Sequence, residues 1–423
     1  MKVSLKGSWE FNNLIGDTGM KKTLITTLVA GLFLGSLGAA NAAGISDNEV
    51  RIGVLTDLSA IYSGIEGPGA VVAAKMAVKD FGGTVLGKKI VVSTADTQSK
   101  ADLSASKARE MYEKDKVDMI VGLVSTSSAL AAMEVAEQKN KISIVTGAAS
   151  LPITNEKCTS SNIHYVYDTY ALSHGTGKAV VDTGKKSWYF LTADYAFGQT
   201  LERDTTEVVN ANGGKVLGSV KHPIKTQDFS SYMAQAQASK AEVIGLANAG
   251  GDTIGSIKQA SEMGIMGSNQ SIVPLLMFIS DVQALGLKTT QGMLFTVGWY
   301  WDFNDSNRKF AQRFMKEFNG KAPNSVQAGV YSATMNYLKA VKAAGTDDTD
   351  PVMKQLKSTP IDDGLFKGNI RADGKFEHDM YLLKVKSPAE SKNKNDVATV
   401  AKVIAAKDAT LPLEKSVCKL VKK

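Results

Sequence analysis

The chain has 423 residues, 43% of them hydrophobic and 22% charged, which suits a folded protein of more than one domain and excludes a disordered or fibrous chain. Its net charge of +7 comes from 49 Lys and Arg set against 42 Asp and Glu. The cations are scattered Lys rather than Arg clusters interleaved with aromatics, so a nucleic-acid partner is not expected.

Residues 1–19 are polar and without pattern, and Met20 reads as the true initiator. Lys21 and Lys22 then precede an apolar run from Leu24 to Leu37, and Ala40-Asn41-Ala42 offers the small side chains of a cleavage site. That run spans about 21 Å as a helix, short of the roughly 30 Å hydrocarbon core, so 20–42 is expected to be a signal peptide. A buried helix of the fold is the alternative. The mature chain would start near Ala43 and work outside the cytoplasm, with no lipid-bearing Cys after the cleavage site.

From Val50 the sequence alternates β-branched runs with amphipathic stretches. Strands are expected at Val50 to Thr56, Lys89 to Ala95, Asp118 to Gly122 and Ile142 to Thr146. Helices are expected over 70–81, 101–114 and from the Ser125–Ser128 run to about Gln138. This β-α-β order argues for a mostly parallel sheet with helices on both faces. Gly82 to Lys88 begins like a phosphate loop, but Lys89 stands where Ser or Thr is needed and a strand follows, so a turn is expected.

A second unit of the same build begins after Tyr170. Strands are expected at Ser187–Thr192, Lys215–Lys221, Glu242–Ala247 and Met293–Val297, with helices at 171–183, 198–212, 230–239, 253–263 and 281–287. Two helices over 306–318 and 326–344 follow, and a β-rich tail from Leu365 to Val385 finishes the fold. No Pro- or Ser-rich linker separates the units, which implies several close crossovers.

Chemistry-bearing motifs are few. The four histidines, His164, His174, His222 and His378, have no metal-ligand spacing, and no nucleophile elbow or dinucleotide fingerprint occurs. Neither a metal nor a cofactor is implied. The two cysteines, Cys158 and Cys418, form one disulfide in an oxidising compartment or remain free thiols. What remains is Ser125 to Ser128 and Gly147 to Ser150, small and hydroxylated residues after adjacent strands. Ligands settle at such strand ends in an open α/β sheet, where hydroxyls and N–H groups meet a carboxylate. Ordinary helix capping explains either cluster alone.

The segments VRIGVLTDLSAIYSG, VGLVSTSSALA, IVTGAAS and LTADYAFGQ, taken in order, resemble periplasmic solute-binding proteins of the branched-chain amino acid type, which feed ATP-driven importers. The resemblance implies a type I fold: two α/β lobes, each a mostly parallel sheet flanked by helices, joined by three hinge crossovers. It divides the chain into a first lobe of 46–168 plus 299–378 and a second lobe and tail of 169–298 plus 379–423.

By the same resemblance Ser125 and the Ala148-Ala149-Ser150 segment hold a ligand carboxylate, with Ser127 beside them, and Tyr62 lines the site. Tyr170, Tyr195 and Phe197 close over it, and Asp281 pairs with a ligand ammonium or serves only to cap a helix. Trp299, with Tyr300 and Trp301, is placed near the hinge, as ligand contact or as packing. The implied function is non-enzymatic capture of a small carboxylate-bearing solute by a monomer, with delivery to an inner-membrane permease and its ATPases. Two departures stand out. Val124 replaces a cysteine of a first-lobe disulfide, so that Cys158 and Cys418 would tie the first lobe to the tail. Residues 167–172 are rich in aromatics, as in a subgroup that serves aromatic acids, where Asp281 would accept a hydrogen bond from a phenol. An extracellular sensor of the same fold is a further alternative.

Overall fold

Strand β1 (Glu49–Thr56) sets the frame, because its side chains alternate between two cores. Val50, Ile52 and Val54 enter one, with Ala70 and Val330, while Leu55 enters another with Met111, Ile120 and Ala132. A strand buried on both faces needs helices on both, and the chain supplies them. Helix Gly67–Phe81 packs against Ser325–Ala344, and helix Ala101–Glu113 against Thr126–Gln138. The structure, a computed structural model, describes residues 44–422; the expected extension at 1–19 and signal peptide at 20–42 lie outside them.

Around β1 lie β2 (Thr84–Val85), β3 (Lys88–Asp96), β4 (Met119–Gly122), β5 (Ile142–Val145) and β6 (Asn162–His164), in the order β2-β3-β1-β4-β5-β6. All pairs are parallel except β2 with β3. Leu86 and Gly87, at φ of 50° and 76°, form the tight turn of that one hairpin. The phosphate-loop lookalike is therefore a hairpin, as its following strand implied.

A second sheet contains β7 (Ser187–Ala193), β8 (Lys215–His222), β9 (Val243–Ala247) and β10 (Ser271–Pro274), all parallel, in the order β10-β9-β7-β8. Next come β11 (Leu294–Val297), β12 (Ile361–Asp362), β13 (Lys367–Ile370), β14 (Phe376–His378), β15 (Met380–Val385) and β16 (Ala398–Ile404). Strands β11, β15 and β16 form an antiparallel sheet, and β12 to β14 another. The two lobes of the fold are built on the six-stranded and the four-stranded parallel sheets.

Strands β6, β10 and β16 and helix Thr349–Ser358 are additions to the sequence reading. β6 has three residues and β10 ends on Pro274, too short for periodicity to register. β16 is an edge strand exposed along much of its length, so no apolar run marks it.

Cys158 and Cys418 are bonded, their Cα atoms 5.8 Å apart, so the free-thiol alternative falls. The tail leaves β16, passes helix Ala406–Ala409 beside Thr169–Leu172, and is pinned to the first lobe. Arg371 donates to the Leu411 carbonyl at 2.8 Å, and the Val417 N–H donates to Asn155 at 2.7 Å. His164 and His378 are core residues bonded to the carbonyls of Ala148 and Tyr165. Burial lowers them to about 3 and about 4, leaving both neutral. Among the described residues no helix is long and apolar enough to cross a membrane, and no His, Cys, Asp and Glu cluster could hold a metal.

Candidate functional site

Loops at the carboxyl ends of both parallel sheets meet in one cleft, where the fold places ligands. In the loop after β1, the Asp57 carboxylate accepts from the N–H groups of Ala60 (2.6 Å) and Tyr62 (3.0 Å) and from the Ser99 hydroxyl (2.6 Å). This side-chain turn aims Tyr62 across the cleft. Tyr195, at the start of helix Ala196–Ala211, meets it from the second lobe, with the two phenolic oxygens 2.6 Å apart. Burial pushes both phenols up, so each stays protonated and one donates to the other.

Behind this bridge lies a small, nearly closed cavity. From the first lobe it is lined by Tyr62 and Ile65 after β1, Val124 and Thr126 after β4, Gly147 and Ala149 after β5, and Tyr167 after β6. The second lobe contributes Tyr195 and Phe197 after β7, Ala249 after β9 and Leu276 after β10. The lining is thus aromatic and apolar, with hydroxyls and main-chain groups as its polar part. Thr126 opens a thirteen-residue helix, and its buried Oγ1 has no hydrogen-bond partner. A buried hydroxyl at a helix N-terminus lacks only an acceptor, which a carboxylate supplies.

Of the residues singled out in the sequence, Tyr62, Ala149, Tyr195 and Phe197 line this cavity. Ser125 stands at the N-cap position before Thr126 without a side-chain capping bond, its Oγ 3.2 Å from that of Ser127. The Ala148 N–H is spent on the Leu123 carbonyl at 2.9 Å. Ser150 reaches toward the second lobe, with its Oγ 3.3 Å from Thr200 Oγ1 and 3.4 Å from the Ala196 carbonyl.

Tyr170 is placed differently from expectation: it stacks on His174 at 3.7 Å and lines a separate recess with Arg203, Asp204 and Lys415. It lies three residues beyond the aromatic that does line the cleft, Tyr167, which precedes the helix Thr169–Leu172. The hydroxyl of Tyr167 donates to the Gly147 carbonyl at 2.6 Å, and its ring meets Phe278 edge to face at 6.1 Å. Asp281 stands behind that wall, accepting from the Phe278 N–H at 2.9 Å, and burial pushes it up to about 7. Trp299 is buried edge to face against Phe310, outside the lining.

Thr126, Gly147 and Tyr167 were missed as individual residues, although each lies inside a segment that the sequence marked. Ile65, Val124, Ala249 and Leu276 carry no local signal, since an apolar residue after a strand reads as core.

Two parallel-sheet lobes closing strand-end loops over a small cleft define a two-lobed solute-binding protein. The periplasmic binding protein family matches residues 49–394, and the chain belongs to that family. Among solved structures it is similar to a periplasmic binding protein from Burkholderia mallei, at 51% identity and a TM-score of 0.87, covering 89% of this chain and 100% of that one. It is also similar to a branched chain amino acid ABC transporter periplasmic ligand-binding protein from Burkholderia xenovorans LB400, at 36% identity and a TM-score of 0.79, covering 88% and 100%. A Leu/Ile/Val-binding protein homolog 6 from Brucella melitensis is 26% identical over 334 residues, 77% of this chain and 82% of the relative. The protein is a periplasmic binding protein of the ABC-transporter type, and not an enzyme.

Proposed function

We propose that the cleft captures a small solute with a carboxylate head and an apolar body, an aromatic acid ahead of a branched-chain amino acid. The observation that carries this reading is the lining: Tyr62, Tyr167, Tyr195 and Phe197 from both lobes, and no charged side chain among the described residues. An amino acid brings an ammonium that needs an anionic partner once desolvated. The acid expected to serve, Asp281, has an oxygen on the Phe278 N–H and lies outside the lining. An aromatic acid needs only ring contacts and a place for its carboxylate, for which Thr126 and the start of its helix are suited.

A ligand touching both lobes stabilises the closed form by its differential affinity for that form. The closed protein, a monomer in the periplasm, then presents the solute to an inner-membrane permease and its ATPases. The similarity to a branched chain amino acid transporter component favours the second reading, in which Asp281 turns toward an ammonium. Mass spectrometry of the co-purifying small molecule, followed by a thermal-shift panel of aromatic acids and branched-chain amino acids, separates the two. Stabilisation by aromatic acids alone supports the first reading. Stabilisation by leucine, isoleucine or valine alone replaces it with the second.

A further inference from the structure

Glu66 is fully buried where the loop after β1 turns into helix Gly67–Phe81. Its Oε2 is 2.6 Å from the Thr56 hydroxyl at the end of β1, and its Oε1 is 2.7 Å from the Thr146 hydroxyl just after β5. Two glycines make room for it. A Cβ on Gly122 would lie 3.2 Å from Oε2, and one on Gly147 would lie 2.8 Å from Oε1. Gly147 and Ile65, the residue before Glu66, both line the cleft. The carboxyl therefore sits one main-chain layer behind the cavity, among the strand ends proposed to receive the acid head-group.

Among the described residues no cation is paired with it. The charged neighbour is Asp57 on the same loop, and the titratable group facing it from across β5 is Tyr167, whose hydroxyl is held by the Gly147 carbonyl. The remaining neighbour, Gln327 of helix Ser325–Ala344, is neutral and reaches only the Glu66 carbonyl. An anion in the cleft would face an uncompensated negative charge if Glu66 were ionised.

We infer that Glu66 is a proton-linked specificity residue, protonated whenever an anionic solute occupies the cleft, so that capture of a carboxylate takes up a proton there. The inference rests on the proposed reading of the cleft as a carboxylate site. The hydrogen-bond network admits both states. Ionised, Glu66 accepts from Thr56 and Thr146. Protonated, it donates to Thr146 Oγ1, whose own proton turns to the Gly122 carbonyl 3.4 Å away. Burial, helped by Asp57 and opposed by the two hydroxyls, raises Glu66 to about 7, so the exchange falls in an accessible range.

Isothermal titration with benzoate at pH 6.5 and 8.0, in phosphate and in Tris, tests this. Benzoate is ionised throughout, so its own titration does not intrude. The expected result is a Kd that rises several-fold toward pH 8.0, within the limit of about tenfold per pH unit for one coupled proton. The apparent enthalpy should differ between the two buffers, because a proton is drawn from the buffer. Benzamide, which is uncharged, should show neither effect. Glu66→Gln should bind benzoate with a Kd independent of pH and buffer, and the wild-type titrations carry the test alone if that variant does not fold. A flat wild-type Kd with no buffer dependence overturns the inference while leaving the carboxylate site standing, as does proton uptake that persists in Glu66→Gln. Failure of benzoate and of every other acid in the panel to bind overturns the site and the inference together.

Discussion

The phenolic oxygens of Tyr62 and Tyr195 stand 2.6 Å apart across the cleft, joining the loop after β1 to the first turn of the second lobe's helix Ala196–Ala211. Each hydroxyl has the other as its partner in a partly buried bond, and opening the lobes would separate them. The bond therefore belongs to the closed form and adds to its stability.

Tyr195→Phe should leave Tyr62 without its partner in the closed form only. The cost is about 1–3 kcal/mol, or roughly 5- to 150-fold in ligand affinity, with little change in thermal stability of the empty protein. Replacing both tyrosines by Phe should cost less than the sum of the two single changes. Calorimetry on the three variants checks this, and additive losses would show that the pair does not act as a unit.

Asp281 distinguishes the two ligand readings. It accepts from the Phe278 N–H at the start of helix Ile279–Leu285, so Asp281→Ala removes a cap worth about 1 kcal/mol. The expected outcome is a lower unfolding midpoint with affinity for an aromatic acid changed by less than about threefold. A loss of binding beyond tenfold with an amino acid ligand would instead put Asp281 in direct contact with an ammonium.

The Cys158–Cys418 bond closes a loop with a sequence separation of 260 and holds the tail on the first lobe. Loop-entropy arithmetic puts its contribution at roughly 5 kcal/mol as an upper bound. Replacing both cysteines by Ser should lower the unfolding midpoint, and reductant should lower that of the wild type but not of the variant. The hydrogen bonds from Arg371 to Leu411 and from Val417 to Asn155 should keep the tail docked after reduction. Limited proteolysis that spares the tail of the reduced protein would show this.

Stability should respond to pH in two opposed ways. Glu66 and Asp281 are raised by burial from 4.5 and 3.8 to about 7 in the folded chain. The folded state holds protons that the unfolded state has released, so this stabilisation is full at low pH and is lost as pH rises toward 7. His164 and His378 are lowered from 6.5 to about 3 and about 4, so their contribution is full above 6.5 and is lost on acidification. Glu66→Gln should therefore gain on the wild type as pH rises from 4.5 to 7.5, by up to roughly 3 kcal/mol. Denaturant titrations at several pH values read the difference directly, and a constant gap would show that Glu66 does not shift on folding.

Much of this protein is legible residue by residue. The runs at Val50, Met119, Ile142 and Val243 are apolar on both faces, and only a helix-covered parallel sheet buries such strands. The order of strands and helices then puts the loops with Tyr62, Ala149 and Tyr195 at the strand ends that line the cleft. The cysteine count, read with the export signal, offered the disulfide that the structure contains.

Which member of each marked segment faces the cleft was decided only in three dimensions. Successive helical residues point about 100° apart, so composition alone does not choose among Ser125, Thr126 and Ser127 at the start of their helix. The entry angle of that helix is set by its packing on Ala101–Glu113, and it turns Thr126 inward. In the same way Tyr167 meets the cleft while Tyr170, three residues on, stacks on His174. Glu66 had no local signature at all. Its role follows from Thr56, Gly122 and Thr146, far apart in the chain, converging on one carboxyl, and only the pairing of β1 with β4 and of β4 with β5 brings them together.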